Sequence, residues 1–169
     1  LILQSGLRHW AVGPDTYQYY VGYYLDVEQS TWQRLWMDCL DFINNGIGKD
    51  PGYRLLLKAI QYVLPTYQLY LLGLATFVFY GLGKLFMRYT SSNYEVLVAM
   101  ALYQCLYYSF FSITGLRQTM ATGFLFLAIP FAVRRKPWQF ALLVLVAATQ
   151  HKSALLFMPF YFLSYMKHS

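Results

Sequence analysis

A few basic and titratable side chains in this sequence could bind and activate an anionic substrate. Arg117 lies in the stretch from Ser112 to Gly123, which joins two apolar runs and contains no acidic residue. His151 and Lys152 form a second polar turn between apolar runs. A guanidinium binds phosphate oxygens through paired hydrogen bonds, lysine adds a point charge, and histidine accepts a proton near neutral pH. Together these residue types predict an anion-binding site with a general base.

Two further candidates stand earlier in the chain. Arg8 precedes the turn that contains Asp15, and after Asp15 tyrosines recur at helical spacing. Arg8 could help Arg117 to hold an anion, and Asp15 could take a proton from a hydroxyl. Each also has a structural interpretation, because Asp15 can cap the helix that follows and a basic side chain at a membrane helix end can extend to water. Arg117 and Lys152 could likewise extend their charged groups to water.

The spacing of the remaining polar residues excludes several other chemistries. The sequence has no zinc-binding spacing, no glycine-rich phosphate loop and no Ser-His-Asp arrangement that can be placed on predicted elements. Cys39 and Cys105 lie in very different segments, so neither a metal site nor a disulfide is expected. We therefore expect a reaction that uses no metal and no cofactor, with arginine supplying the positive charge.

Composition predicts that these side chains work in a membrane. The chain has 169 residues, of which 58% are hydrophobic and only 12% charged, whereas an ordinary soluble domain is about one quarter charged. The net charge is +6, but the basic residues stand between apolar runs rather than along one polar face. This distribution excludes a nucleic-acid-binding protein. We expect an integral membrane protein whose tyrosines favour the two interfaces of the lipid bilayer.

The apolar runs predict an all-α, polytopic bundle of membrane helices. Three spanning runs and two later apolar runs are predicted at Tyr67 to Met87, Tyr94 to Ile113, Leu116 to Val133, Trp138 to Thr149 and Ala154 to Met166. At a rise of ~1.5 Å per residue, a run of about twenty residues crosses a hydrocarbon core of ~30 Å. We expect one membrane domain over residues 1–169, with the membrane helices in 67–166. The abrupt ends suggest an internal fragment of a longer protein.

Residues 8–65 are predicted to form a loop that carries two interfacial helices. Thr31 to Asn44 is amphipathic and is followed by Gly46, a residue typical of helix C-caps. Asp50 and Pro51 open a second amphipathic helix, with Asp50 expected to be its N-cap. Both helices are too short and too charged to span, so they should lie in the membrane plane.

The basic loops predict which side of the membrane each segment faces. Lys84 to Asn93 and Arg134 to Pro137 are separated by two crossings and are expected in the cytoplasm. Arg117 and the loop 8–65 then lie on the outer side. The run from Trp138 to His151 measures only roughly 21 Å, so the polar turn at its end should lie in a recess below the outer surface.

Four short motifs occur in an order that resembles a known family. They are Arg8-x4-Gly13-Pro14-Asp15-Thr16-Tyr17, Asp50-Pro51-Gly52-Tyr53 with Leu55-Leu56, Gly115-Leu116-Arg117-Gln118 with Ala121, and Ala148-x2-His151-Lys152-Ser153-Ala154. In these motifs the chain resembles the EpsG family of bacterial membrane proteins, which is similar to the Wzy-type polysaccharide polymerases. The resemblance covers nearly the whole chain.

The resemblance implies a function and a cellular location. It implies a multi-pass protein of the bacterial plasma (inner) membrane that acts in exopolysaccharide, capsule or O-antigen synthesis on its outer side. Its substrate would be an undecaprenyl-diphosphate-linked glycan, and its partners other proteins of polysaccharide synthesis or export. A GT-C-like helical architecture agrees with this role. The residues carried over by the motifs are Arg8, Asp15, Arg117, Gln118 and His151.

The roles of these residues stay open at two points. Arg117, together with Arg8 or Lys152, would hold the donor diphosphate and stabilise its leaving charge. Either His151 or Asp15 would take the proton from the acceptor hydroxyl. Two other classes fit the same basic cavity: a transporter or flippase of the lipid-linked sugar, which needs no base, and a non-catalytic subunit of an export complex.

Overall fold

Over the residues that it describes, the computed structural model is built from helices alone. These residues are 1–9, 12–13, 15–108 and 115–163. The predicted all-α class is therefore confirmed. Pro14, the segment from Ser112 to Ile113 and the predicted end at Met166 lie outside the described residues.

The helices follow the chain in a simple order. The α-helices are α1 (Ile2–Gly6), α2 (Thr16–Tyr19), α3 (Asp26–Gln29), α4 (Trp32–Asn45), α5 (Pro51–Gln61), α6 (Tyr67–Tyr89), α7 (Asn93–Leu106), α8 (Leu116–Val133), α9 (Pro137–Gln150) and α10 (Phe160–Leu163). A π-helical segment, Tyr20–Leu25, joins α2 to α3, and a 3-10 helix, Lys152–Phe157, follows α9.

Two helices in the described part are long and apolar enough to cross a bilayer. They are α6, with 23 residues and a mean hydropathy of 1.6, and α8, with 18 residues and a mean hydropathy of 1.4. Of the third predicted span, Tyr94 to Ile113, the residues up to Leu106 lie in α7, and those after Tyr108 lie outside the described residues. Helix α9 has 14 residues, as its sequence predicted. A bundle with more than two crossings stays a prediction.

Local sequence explains where several of these helices begin and end. Three helices begin at a hydroxyl oxygen that accepts a hydrogen bond from a backbone N–H three residues ahead, at Thr31, Thr66 and Ser92. Such a cap stabilises a helix by about 1 kcal/mol. Helix α4 ends at Gly46, whose φ of 66° is left-handed, so the predicted glycine C-cap is confirmed.

Helix α8 lies at the centre of the bundle between α6 and α9. Phe77 of α6 packs on Phe124, with a centroid distance of 5.2 Å, and Gly81 lies one turn further along against Phe126. Positions increase together on both helices, so α6 and α8 run in the same direction. On the other side of α8, three buried alanines let the backbones approach closely: Ala121, Ala147 and Ala154.

A core of tyrosines joins the N-terminal helices to α6. Its buried tyrosines are Tyr19, Tyr24, Tyr53, Tyr67 and Tyr70. The hydroxyls of Tyr53 and Tyr70 are 2.8 Å apart and satisfy each other. Buried aromatic rings contribute large apolar area, and their hydroxyls need such partners. The N-terminal helices are thereby held at the end of the bundle where α6 and α8 begin.

Helices α3, α4 and α5 are fastened to one another by ion pairs. Arg54 of α5 pairs with Asp38 of α4 and with Asp26 of α3, and Arg34 of α4 lies 3.6 Å from Asp26. Lys58 also donates to the last carbonyls of α3. Large apolar side chains of α4 and of the residues just after α5 are exposed, which fits the predicted interfacial position; they include Trp32, Trp36, Ile43, Tyr62 and Val63.

Asp15 and Asp50 occupy the predicted N-cap positions of α2 and α5, but the predicted capping role of their side chains is wrong. Neither side chain forms a capping hydrogen bond. Helix α5 also ends at Gln61, before the predicted stop at Pro65. For Asp50 the physical reason is that other donors occupy its carboxylate, and these donors come from α8 and the end of α9.

Candidate functional site

Asp50 is the residue around which the site is built. Its φ and ψ angles of 47° and 59° are left-handed, a conformation that is uncommon for residues other than glycine. Its side chain is only 8% exposed. An uncommon backbone conformation at a buried acidic residue supports the hypothesis of a functional role.

The Asp50 carboxylate accepts hydrogen bonds from three donors. Arg117 Nη1 lies 2.8 Å from Oδ2, and His151 Nδ1 lies 3.2 Å from the same oxygen. The other oxygen, Oδ1, accepts from the backbone N–H of Lys152 at 3.4 Å. One buried acid therefore joins the start of α8 to the end of α9.

A glycine brings Asp50 within reach of α9. A Cβ atom on Gly52 would lie 2.5 Å from Thr149 Cβ and 2.7 Å from the Thr149 carbonyl oxygen. The start of α5 thus approaches the end of α9 more closely than any larger residue allows. Helix α9 then stops at Gln150, and His151 is extended, with φ −157° and ψ 119°. The predicted polar turn at the end of a short helix is confirmed.

Arg117 lies in the first turn of α8, after Gly115, whose φ of 59° is left-handed. Its Nε donates to the hydroxyl of Tyr19 at 3.2 Å, and its Cζ lies 5.2 Å from the ring centroid of Tyr23. Burial raises the pKa of the Tyr23 hydroxyl, although the charge of Arg117 opposes the rise. Tyr23 is therefore a neutral aromatic partner for the cation at neutral pH.

Arg117 has an acidic partner that lies far from it in sequence. The sequence shows no acid near it, but the fold brings Asp50 to it across a separation of 67 positions. The side chain is 17% exposed. Arg117 is therefore neither extended into water nor an isolated buried charge.

The cluster still has unused donor and acceptor capacity. A guanidinium has five N–H donors, of which Tyr19 and Asp50 take one each. Among the described residues, nothing else accepts from Arg117, and His151 Nε2 has no hydrogen-bond partner. When Nδ1 donates to Asp50, Nε2 carries the lone pair that can accept a proton. The arrangement can bind an anion at Arg117 and deprotonate a hydroxyl at His151.

Arg8 lies away from this cluster. It is buried, and its Nη1 donates to the carbonyl and hydroxyl oxygens of Ser5 at 2.6 and 3.1 Å. Burial lowers the pKa of its guanidinium. Its neighbours include Leu71 and Thr119, which line the same small space between α1, α6 and α8. No contact joins Arg8 to Asp50 or Arg117 within the described part of the chain.

The other predicted residues differ in their relation to the cluster. Lys152 contributes its backbone N–H, while its side chain is exposed. Gln118 is half-buried beside Arg117, and Asp15 is exposed at the start of α2. Neither of these two side chains forms a hydrogen bond or ion pair among the described residues. The structure thus brings together Arg117, His151 and the backbone of Lys152.

Sequence reasoning missed Asp50, Tyr19 and Tyr23 as members of the site. It assigned Asp50 to a helix cap and the tyrosines to an interfacial face. One signal could have found Asp50: of the seven acidic residues in the chain, only Glu95 comes later. A membrane arginine that needs a carboxylate has few acids to choose from.

The described residues contain no group of three or more His, Cys, Asp or Glu side chains placed to hold a metal ion. In comparisons with known proteins, the model of the EpsG family matches the chain over residues 1–169. That range includes every residue of the cluster. No curated protein and no solved structure matches the chain.

Proposed function

The chain belongs to the EpsG family, and on this premise we propose that it is a membrane glycosyltransferase that joins undecaprenyl-diphosphate-linked oligosaccharide units into a polysaccharide. The family and the two apolar helices fit a membrane protein related to polysaccharide biosynthesis. One observation carries the finer proposal: the Asp50 carboxylate holds His151 and Arg117 side by side.

In this proposal His151 is the general base. The acceptor hydroxyl gives its proton to Nε2 while its oxygen attacks the anomeric carbon of the donor sugar. The bond from that carbon to the diphosphate oxygen breaks, and its electron pair leaves with the diphosphate. Asp50 is a positioning residue, because its bond to Nδ1 selects the tautomer in which Nε2 can accept the proton.

Arg117 would bind the donor diphosphate and stabilise the charge that develops as it leaves. Preorganised cations act in this way when little solvent reorganises around them. A diphosphate carries more negative charge than a carboxylate, so it competes with Asp50 for the guanidinium. As Arg117 turns to the substrate, the Oδ2 atom of Asp50 keeps only its contact with His151, which strengthens Nε2 as a base. Substrate binding and base activation are coupled through one carboxylate.

Lys152 is proposed as the second cation, because its side chain is exposed at the position where its backbone contacts Asp50. Arg8, Asp15 and Gln118 stay predicted site residues, without a contact to the cluster to support them. Should Asp15 serve as the base instead, Asp15→Asn would abolish polymer and His151→Gln would leave it nearly unchanged.

We place the cluster on the outer side of the bacterial plasma membrane. Exposed basic residues are concentrated in the loop after α8, at the opposite end of the bundle from the cluster. Because basic loops favour the cytoplasmic side, this distribution supports an outer position for the cluster. An impermeant thiol reagent added outside should modify a Lys49→Cys variant and leave Lys136→Cys unmodified, in a background without Cys39 and Cys105. The reverse labelling pattern would overturn this orientation.

The experiment that tests the function is a His151→Gln change in the bacterial host, with an exposed His9→Gln change as the control. A general base contributes about 10²–10⁴-fold to rate, so polymer should fall by that order while single repeat units still reach the acceptor. Glycan gels report chain length, and blots report membrane abundance. Normal polymer would contradict the role of His151. Loss of both polymer and exported single units would favour a flippase.

A further inference from the structure

A cavity lies far from Asp50, between α6 and α8. Its volume is about 510 Å³. The walls are apolar and come from both helices: Gly81, Leu85, Phe126, Leu127, Pro130 and Phe131. Met87 also lines it, together with two cations that lie one helical turn apart on α6, Lys84 and Arg88.

The cavity is at the end of the bundle opposite the candidate site. Arg117 and Pro130 lie near opposite ends of α8, roughly 20 Å apart at ~1.5 Å per residue. Because α6 and α8 run in the same direction, Arg88 also lies at the end of α6 away from Asp50. The cavity therefore takes no part in the chemistry proposed for His151.

Lys84 and Arg88 have no acidic partner in the described residues. Lys84 Nζ lies 4.5 Å from the ring centroid of Tyr80, and Arg88 lies 5.9 Å from that of Tyr89. The one acid in this part of the chain is Glu95, whose carboxylate accepts from the backbone N–H of Ser91. Two cations at the rim of an apolar cavity thus lack a counterion from this part of the protein.

Pro130 contributes to the shape of the cavity. A proline inside a helix provides no N–H to the carbonyl four residues earlier, here Phe126, and its ring pushes that turn aside. Both Pro130 and Phe126 line the cavity. The α8 wall of the cavity therefore includes the turn at which one helical hydrogen bond is missing.

We propose that this cavity binds an anionic phospholipid, with an acyl chain against the apolar walls and the phosphate held by Lys84 and Arg88. Basic pockets between membrane helices are suited to such headgroups. The apolar walls argue against a free anion, since a phosphate ion gains nothing from phenylalanine, leucine and proline. The charges argue against a purely apolar occupant, because they would remain without a counterion.

The test measures lipid binding to the purified full-length protein. Native mass spectrometry of the detergent-solubilised protein, titrated with phosphatidylglycerol or phosphatidylcholine, reports the affinity for each lipid. We expect the wild type to prefer phosphatidylglycerol. A cation near a headgroup contributes about 1 kcal/mol, so removing two with Lys84→Gln and Arg88→Gln should weaken phosphatidylglycerol binding about 30-fold.

The matched control is Arg134→Gln with Lys136→Gln, which removes the same charge from exposed positions near the cavity but outside it. It should change binding less than threefold. Equal weakening by the control would overturn the proposal in favour of general surface attraction. Displacement of the lipid by inorganic phosphate at comparable concentration would overturn it in favour of a free-anion site.

A second variant keeps the test informative if the charge variant fails to fold. Leu127→Trp fills the cavity and leaves both cations in place. We expect it to lower phosphatidylglycerol and phosphatidylcholine binding alike. Unchanged binding of both lipids to Leu127→Trp would show that the cavity is not the acyl-chain site and would overturn the proposal.

Discussion

Arg54 and Arg117 invite comparison because they are similarly buried arginines that pair with aspartates. Their side chains are 19% and 17% exposed. Arg54 contacts two carboxylates, those of Asp26 and Asp38. Arg117 contacts one, which it shares with His151.

The difference lies in what each network leaves unused. Around Arg54 the acids and bases balance, and the ion pairs fasten three helices to one another. Around Asp50 two groups compete for one carboxylate, and a ring nitrogen and several N–H donors remain available. Burial and ion pairing are common to both, so neither identifies a site. The donors and acceptors that remain unmatched around Asp50 are what identify the candidate site.

The largest expected effect comes from changing the shared acid. Asp50→Asn keeps the shape but removes the charge and the selection of the His151 tautomer, so polymer should fall on the order of 10³-fold. Asp38→Asn, in the Arg54 network, should change polymer less than threefold after correction for membrane abundance. Equal losses in the two variants, by glycan gel, would remove the distinction between the networks.

Replacing each arginine by lysine sharpens the comparison further. Lysine cannot reproduce the forked donors of a guanidinium, so Arg117→Lys should lower polymer about 100-fold, comparable to the loss of one charge-stabilising donor. Arg54→Lys should mainly lower the abundance of folded protein, because its partners are structural. Normal polymer from Arg117→Lys at normal abundance would rule out a bidentate role.

A smaller effect is expected from the glycine that positions Asp50. In Gly52→Ala the new methyl group would meet the Thr149 carbonyl oxygen at 2.7 Å, and such overpacking costs about 1–3 kcal/mol. The thermal midpoint should fall, and the amount of polymer should fall by roughly tenfold. Gly83→Ala is the control, since a Cβ there has no atom within 4 Å. A lower midpoint with unchanged polymer would show that Gly52 matters for stability but does not position the site.

The smallest effect concerns the tyrosines that contact Arg117. Tyr19→Phe loses the hydrogen bond to Nε, a loss of about 1 kcal/mol that corresponds to roughly fivefold less polymer. Tyr23→Phe keeps the aromatic face and should change polymer less than twofold. If Tyr23→Phe were the more harmful of the two, its hydroxyl would have to contact substrate.

Local patterns predicted the elements that local physics controls. Helix α8 runs from Leu116 to Val133, as its apolar run between Gly115 and Arg134 indicates. The short α9 and the break at His151 were predicted for the same reason. These features depend on neighbours in sequence, so sequence alone was sufficient.

The contacts that make the site depend on neighbours in space. Capping rules assigned Asp50 to its own helix, whereas its left-handed backbone and the approach of Gly52 to Thr149 direct it to Arg117 and His151. No periodicity in the chain encodes that approach. The order of the motifs identified the family, but the hydrogen-bond partner of each residue had to come from the fold.

The π-helical segment Tyr20–Leu25 has a consequence for both arginines. It lies in one continuous helical stretch that carries Tyr19 at the Arg117 end and Asp26 at the Arg54 end. A π turn closes over one more residue than an α turn, and one residue corresponds to about 100° of rotation around an α-helix. Deleting a single residue between Tyr20 and Leu25 would leave the stretch helical yet swing Asp26 away from Arg54. The extra residue of this one π turn therefore sets the rotation of Asp26, which pairs with Arg54, relative to Tyr19, which contacts Arg117.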